Sequence, residues 1–189
     1  MRGKSFDSVS RDRALGTKHL AIAIALAIAA FGIAAPASAQ VSKSGYVLPM
    51  KFALEAAQEA IQTCTANGYD VTATVVDVAG TPQVVLRGDH ATIHTKDSAF
   101  RKAYTVVTMG PIFHVSLTSQ FLELLSKYPP LAAQSLASTP NVTTLPGGAA
   151  IEAHGEIVAG IGVGGSPGGD KDEVCAKAGA AKIQGELPR

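Results

Sequence analysis

Two hairpin signatures limit what this chain can become more than any other feature. "VTATVVDV" (71–78) is rich in β-branched residues, and the turn "AGTPQ" returns it as "VVLR" (84–87). Further on, "AAIEA" (149–153) and "EIVAGIGVG" (156–164) flank His154-Gly155 in the same way. Strands that double back at once pair antiparallel, because a parallel pair needs a crossover of about a dozen residues or more. The sheet is therefore antiparallel, and whatever is helical must pack against it.

Helical spacing supplies the rest. Ala53, Ala56, Ala57, Ala60, Ile61 and Cys64 recur on one stripe of a helix over 50–67, with Gly68 as its stop. Gly88 ends the second strand, and a loop leads to Thr95, which can cap a helix over 96–109 that Gly110-Pro111 ends. Leu117, Phe121, Leu124 and Leu125 mark a helix over 116–128, stopped by Pro129-Pro130. Residues 131–144 read as a short helical turn before a loop or short strand, and 171–184 as a final helix. The expected fold is α+β, an antiparallel sheet of about five strands flanked by helices in a profilin/PAS-like sandwich. Its order is α-β-β-α-α-β-β-β-α.

The first 39 residues read as an address. Arg2, Lys4, Arg11, Arg13 and Lys18 lead into the uncharged run 20–35, and Ala37-Ser38-Ala39 offers a signal-peptidase site before Gln40. The rival is a retained anchor, for which an Ala-rich run of this length is short. Cleavage gives an exported, periplasmic or secreted protein with a mobile segment over 40–49 and one domain over 50–189. It removes five of the 16 Lys+Arg and two of the 15 Asp+Glu, leaving 11 and 13, a net charge of −2. That balance argues against nucleic acid, or a membrane once the leader is gone, as a main partner.

Cys64 and Cys175 are the only cysteines. In an oxidising compartment they are expected to bridge, closing a loop of 111 residues; the alternative is two buried thiols.

Polar chemistry gathers in "RGDHATIHTKDSAFRKAYT" (87–105). His90 and His94 are four apart, a spacing that would suit a metal on a helix, but Gly88 and Thr95 place them in a loop. Arg87 and Lys102 are cations able to meet a ligand's carboxylates, or members of a solvated face. His114 follows Pro111 and can line a cavity or sit on the surface. Six glycines between Gly160 and Gly169 precede a helix. Asp170, Asp172 and Glu173 at that helix start oppose a phosphate, so the glycines read as close packing against a strand, a subunit or a flat ligand. No nucleophile elbow is present.

Five blocks resemble the GlcG/HbpS-like haem-binding (haem-degrading domain) family and the C-terminal domain of PduO. They are "VVDVAG" (75–80), "RGDHA" (87–91), "HTKDSAFRKAYT" (94–105), "LPGG" (145–148) and "IVAGIGVGGSPGGDKDEVCAKAG" (157–179). His90 departs from the family's usual glycine after "RGD". The resemblance implies a homo-oligomer, a tetramer or octamer, with haem or a related tetrapyrrole as ligand. It puts His94, as metal ligand, or Thr105 near the iron, and Arg87 and Lys102 toward the propionates; His90, where the family has glycine, either adds a ligand or fills space. The expected function is an exported haem-binding protein accessory to haem sensing, storage or uptake. The alternatives are an enzyme acting on haem or a small organic acid, and an oligomeric accessory module without ligand.

Overall fold

The structure, a computed structural model, describes residues 43–189. Helix α1 (Met50–Ala66) leads into β1 (Thr72–Asp77) and β2 (Pro82–Arg87); α2 (His94–Phe113), α3 (Thr118–Ser126) and α4 (Pro130–Ala137) follow. Strands β3 (Gly148–Ala153) and β4 (Glu156–Gly164) and helix α5 (Gly169–Gln184) complete the chain. The four strands form one antiparallel sheet in the order β2-β1-β4-β3. The leader 1–39, its cleavage point and the start of the 40–49 segment lie outside the described residues.

Both hairpins form as their turn chemistry demands. Asp77 Oδ1 accepts from the N–H groups of Ala79 and Thr81, both at 2.9 Å, and Gly80 takes φ +78° to close the first turn. Among the described residues the expected fifth strand is absent. Residues 130–137 are helical because Pro129-Pro130 starts a helix as readily as it stops one: a proline in the first turn lacks an N–H that would be unpaired there anyway. The observed order is α-β-β-α-α-α-β-β-α. Pro111 does not end α2 either. One backbone bond is lost, yet the last turn closes at His114, which adopts φ 54° and donates its N–H to Gly110 O. Nor does Thr95 cap α2 from outside. The helix begins one residue earlier, and the Thr95 hydroxyl turns inward to Thr72 Oγ1 at 2.7 Å, pinning α2 to β1.

The sheet separates two helical layers. On one face Ala73, Val75, Ala159, Ile161 and Val163 pack against the alanine stripe of α1 and against Ala176, Ala180 and Ile183 of α5. Cys64 and Cys175 are bonded between these helices, with Cα atoms 5.6 Å apart. The other face of β4 consists of Gly160, Gly162 and Gly164, and α2 lies directly on it. A Cβ on Gly160 would stand 2.8 Å from Ala103 O, and one on Gly162 would stand 2.5 Å from Ala103 N. The occupant of the glycine surface is thus a helix of the same chain. Gly162→Ala is expected to cost about 1–3 kcal/mol, since neither backbone can yield in a packed interior. A lowered denaturation midpoint at unchanged m reads this out, and an unchanged midpoint refutes the close approach.

Residues 43–48 lie along the body. Glu156 Oε2 accepts from the N–H groups of Lys43 (2.8 Å) and Ser44 (3.1 Å), Leu48 is buried, and Gln83 Nε2 donates to Leu48 O. The part of the expected mobile segment that is described is therefore held by hydrogen bonds. Among the described residues no helix is long and apolar enough to cross a membrane.

Candidate functional site

The residues singled out by the sequence divide into two groups. Lys102 and Thr105 are interior. Lys102 Nζ lies 2.6 Å from Asp172 Oδ2 and donates to Val163 O at 2.9 Å, and its side chain is 3 % exposed. The Thr105 hydroxyl donates to Arg101 O at 2.8 Å and accepts the Thr143 N–H at 2.9 Å. Arg101 Nη2 holds Val142 O beside it. These bonds fasten the loop after α4 to α2. Neither group lines either of the two hollows described below.

Arg87, His90 and His94 are exposed where β2 hands over to α2. Arg87 Nη1 donates to Ala91 O at 2.6 Å, and His94 Nδ1 lies 3.1 Å from Thr92 Oγ1. His90 adopts φ 64°, a left-handed conformation that explains why glycine suits this position. Thr105 stands eleven residues along α2 from His94, a rise of roughly 16 Å, so the two cannot ligate one iron in one subunit. Among the described residues no group of three or more His, Cys, Asp and Glu is placed to hold a metal ion.

The ion pair belongs to a larger buried network. Asp172 Oδ1 accepts the Ser166 N–H at 2.9 Å. Glu173 accepts from the Thr118 and Ser119 hydroxyls and from the N–H groups of Ser119 and Gly147. Gly147, at φ +127°, lets the chain pass where a Cβ would stand 2.8 Å from Lys102 Nζ. Lys102 of "HTKDSAFRKAYT", the "LPGG" loop and Asp172-Glu173 of the long glycine block therefore meet at one point inside the domain. Gly80 of "VVDVAG" leaves room for the Tyr104 ring, whose Cδ2 and Cε2 a Cβ would meet at 2.6 Å. Four of the five blocks specify internal joints.

A hollow opens elsewhere, where α2 ends beside the β3–β4 hairpin. This cleft of about 500 Å³ is lined by Gly110, Pro111, Val115 and Ile157, with His114, Ser116, Glu152, Glu156 and Lys43 around them. Gly110 is needed for its shape, because a Cβ would stand 2.6 Å from Ile157 Cδ1. Ser116 Oγ donates to Glu152 Oε1 at 2.7 Å. The left-handed turn at the end of α2 leaves the His114 side chain exposed, and its imidazole makes no hydrogen bond or ion pair among the described residues. Of these residues the sequence singled out only His114 as able to line a cavity. Glu152 and Lys43 carried no signal, because their meeting depends on the hairpin folding beside the helix end. A second hollow, about 300 Å³ between α3 and α4, is lined by Leu122, Leu125, Ala133 and Ala137 and holds no imidazole.

The family model "Haem degrading protein HbpS-like" matches residues 48–181. A double mutant of HbpS from Streptomyces reticuli is 37% identical, with 79% of this chain and 97% of that chain covered and a TM-score of 0.65. A further HbpS structure is 36% identical over 78% of this chain and 97% of that one, again at 0.65. A PduOC–haem complex shares the fold at 22% identity and a TM-score of 0.63, covering 73% of this chain and 96% of that one. No curated protein matches the chain.

Proposed function

Because the chain belongs to the HbpS-like haem-degrading protein family, we propose that it binds haem or a related tetrapyrrole. The observation that carries this reading is the family match, which spans the sheet, both helical layers and all of the cleft except Lys43. The residues present offer donor atoms for such a group. A tetrapyrrole needs an apolar slot and a donor atom for its iron. The cleft is within the ~300–1,000 Å³ of small-molecule sites, and His90, His94 and His114 are exposed imidazoles. Lys102 and Thr105 are committed to interior bonds in the single subunit. Bound haem would bring a ligand-dependent Soret band and iron chemistry; the protein supplies the donor, the wall and the exclusion of water.

Titration of the protein with hemin is expected to give a saturable Soret shift at micromolar haem, and an absent shift refutes the reading. The family's description as haem-degrading favours turnover as a second reading. Peroxide would then bleach the bound Soret band faster than it bleaches free hemin. Static light scattering on the same sample reads the proposed homo-oligomer, a tetramer or octamer; a monomer at the titration concentration ends that part. Export is proposed with it, supported by the closed Cys64–Cys175 bridge, which suits an oxidising compartment.

A further inference from the structure

We propose that the apolar face formed by α3 and α4 docks a second copy of this chain, with Leu131 of each copy seated in the other's hollow between these helices. The inference deepens the homo-oligomer reading above and rests on it. Its starting point is α4. The sequence PLAAQSLA is mostly apolar, yet none of its eight residues is buried. Burial within its own domain therefore does not account for its composition. Around it Leu131 is 82% exposed, Leu145 59% and Leu122 42%. Single exposed apolar residues are ordinary, but several gathered around one apolar hollow mark a contact surface.

The shape is self-complementary. Leu131 stands three residues before Gln134, which lines the hollow, so it projects beside the hollow's mouth. Leu122, Leu125, Ala133 and Ala137 give the hollow, about 300 Å³, its apolar wall. A knob and a hole on one surface suit a two-fold axis, where residue i of one copy meets residue j of the other and j meets i. Charge selects a second copy over other occupants. Residues 128–151 contain no Asp, Glu, Lys, Arg or His. The nearest charges on this side of the chain, Glu123 and Lys127, offset each other at 2.8 Å. A two-fold contact brings like groups together, so a charged face repels its copy and an uncharged one does not. A helix lying on a lipid surface carries Lys or Arg along its polar face, and α4 has neither.

The test is static light scattering on the full protein and three variants. Leu131→Glu brings a carboxylate to the partner's apolar hollow, and Ala133→Phe fills that hollow without adding charge. Each is expected to lower the molar mass by a factor of two or more. Val85→Glu, on edge strand β2 and 44% exposed, is expected to keep the wild-type mass. A native far-UV spectrum and a cooperative melt verify that each variant folds. An oligomeric wild type whose mass survives Leu131→Glu overturns the assignment and leaves the oligomer standing, as does a mass lowered by Val85→Glu alone. Flotation with neutral phosphatidylcholine vesicles that Leu131→Glu abolishes at unchanged mass overturns it in favour of a lipid surface. A monomeric wild type removes the oligomer and this surface together, while hemin titration judges the haem reading separately.

Discussion

Lys102→Met is expected to destabilise the protein by about 3–5 kcal/mol, because it leaves the Asp172 carboxylate buried without its cation. For a domain of this size that is a fall in Tm of roughly 6–20 °C. The cost is that of stranding a charge. Removing both partners, as in Lys102→Met with Asp172→Leu, is expected to recover much of the loss, since paired burial of charge is itself expensive. Recovery is limited by the Ser166 N–H, which loses its acceptor when Asp172 goes. Calorimetry on the single and double variants decides the matter. If Lys102→Met melts with the wild type, the pair does not hold the domain together, and the ammonium becomes available again for a ligand.

The second large effect is on the disulfide. Cys64→Ala with Cys175→Ala, or full reduction, is expected to remove up to about 4.7 kcal/mol, the chain-entropy value for a loop near 100 residues; this one closes 111. Alanine is the right replacement because both positions are buried among alanines of α1 and α5. The melting temperature should fall alike in the double variant and in reduced wild type. Equal temperatures with and without the bridge refute the prediction. Intact mass of exported material checks its origin. A chain beginning at Gln40 and lighter by the two hydrogens lost on oxidation is expected, and a retained leader or two free thiols contradicts it.

Local structure was largely legible because short-range chemistry sets it. The alanine stripe of α1, the Asp77 turn and the β-branched run of β1 each carry their conformation within a few residues. Besides the misplaced cap at Thr95, the errors fell on prolines. Pro111 and Pro130 read as stops, yet one lies inside a final helical turn and the other begins a helix. A proline is compatible with helical φ, and only the neighbouring packing says which side of it the helix occupies.

The candidate site was less legible. The family resemblance put Lys102 and Thr105 toward a ligand. Their partners, Asp172 and Thr143, are 70 and 38 residues away along the chain. No local pattern announces that a cation on a helix faces inward, because an exposed lysine and a paired, buried one have the same spacing.

By itself the sequence determined the antiparallel pairing and the helical stripes, since these rest on alternation and periodicity; the cysteine count allowed a bridge that the structure closes. It also carried the family, whose blocks are written in the joints between elements. Tertiary structure alone decided that α2 occupies the glycine face of β4, that Lys102 is spent on Asp172, and that His114 borders a cleft with Glu152. Each of these depends on where two distant segments come to rest, and only burial of the whole domain determines that.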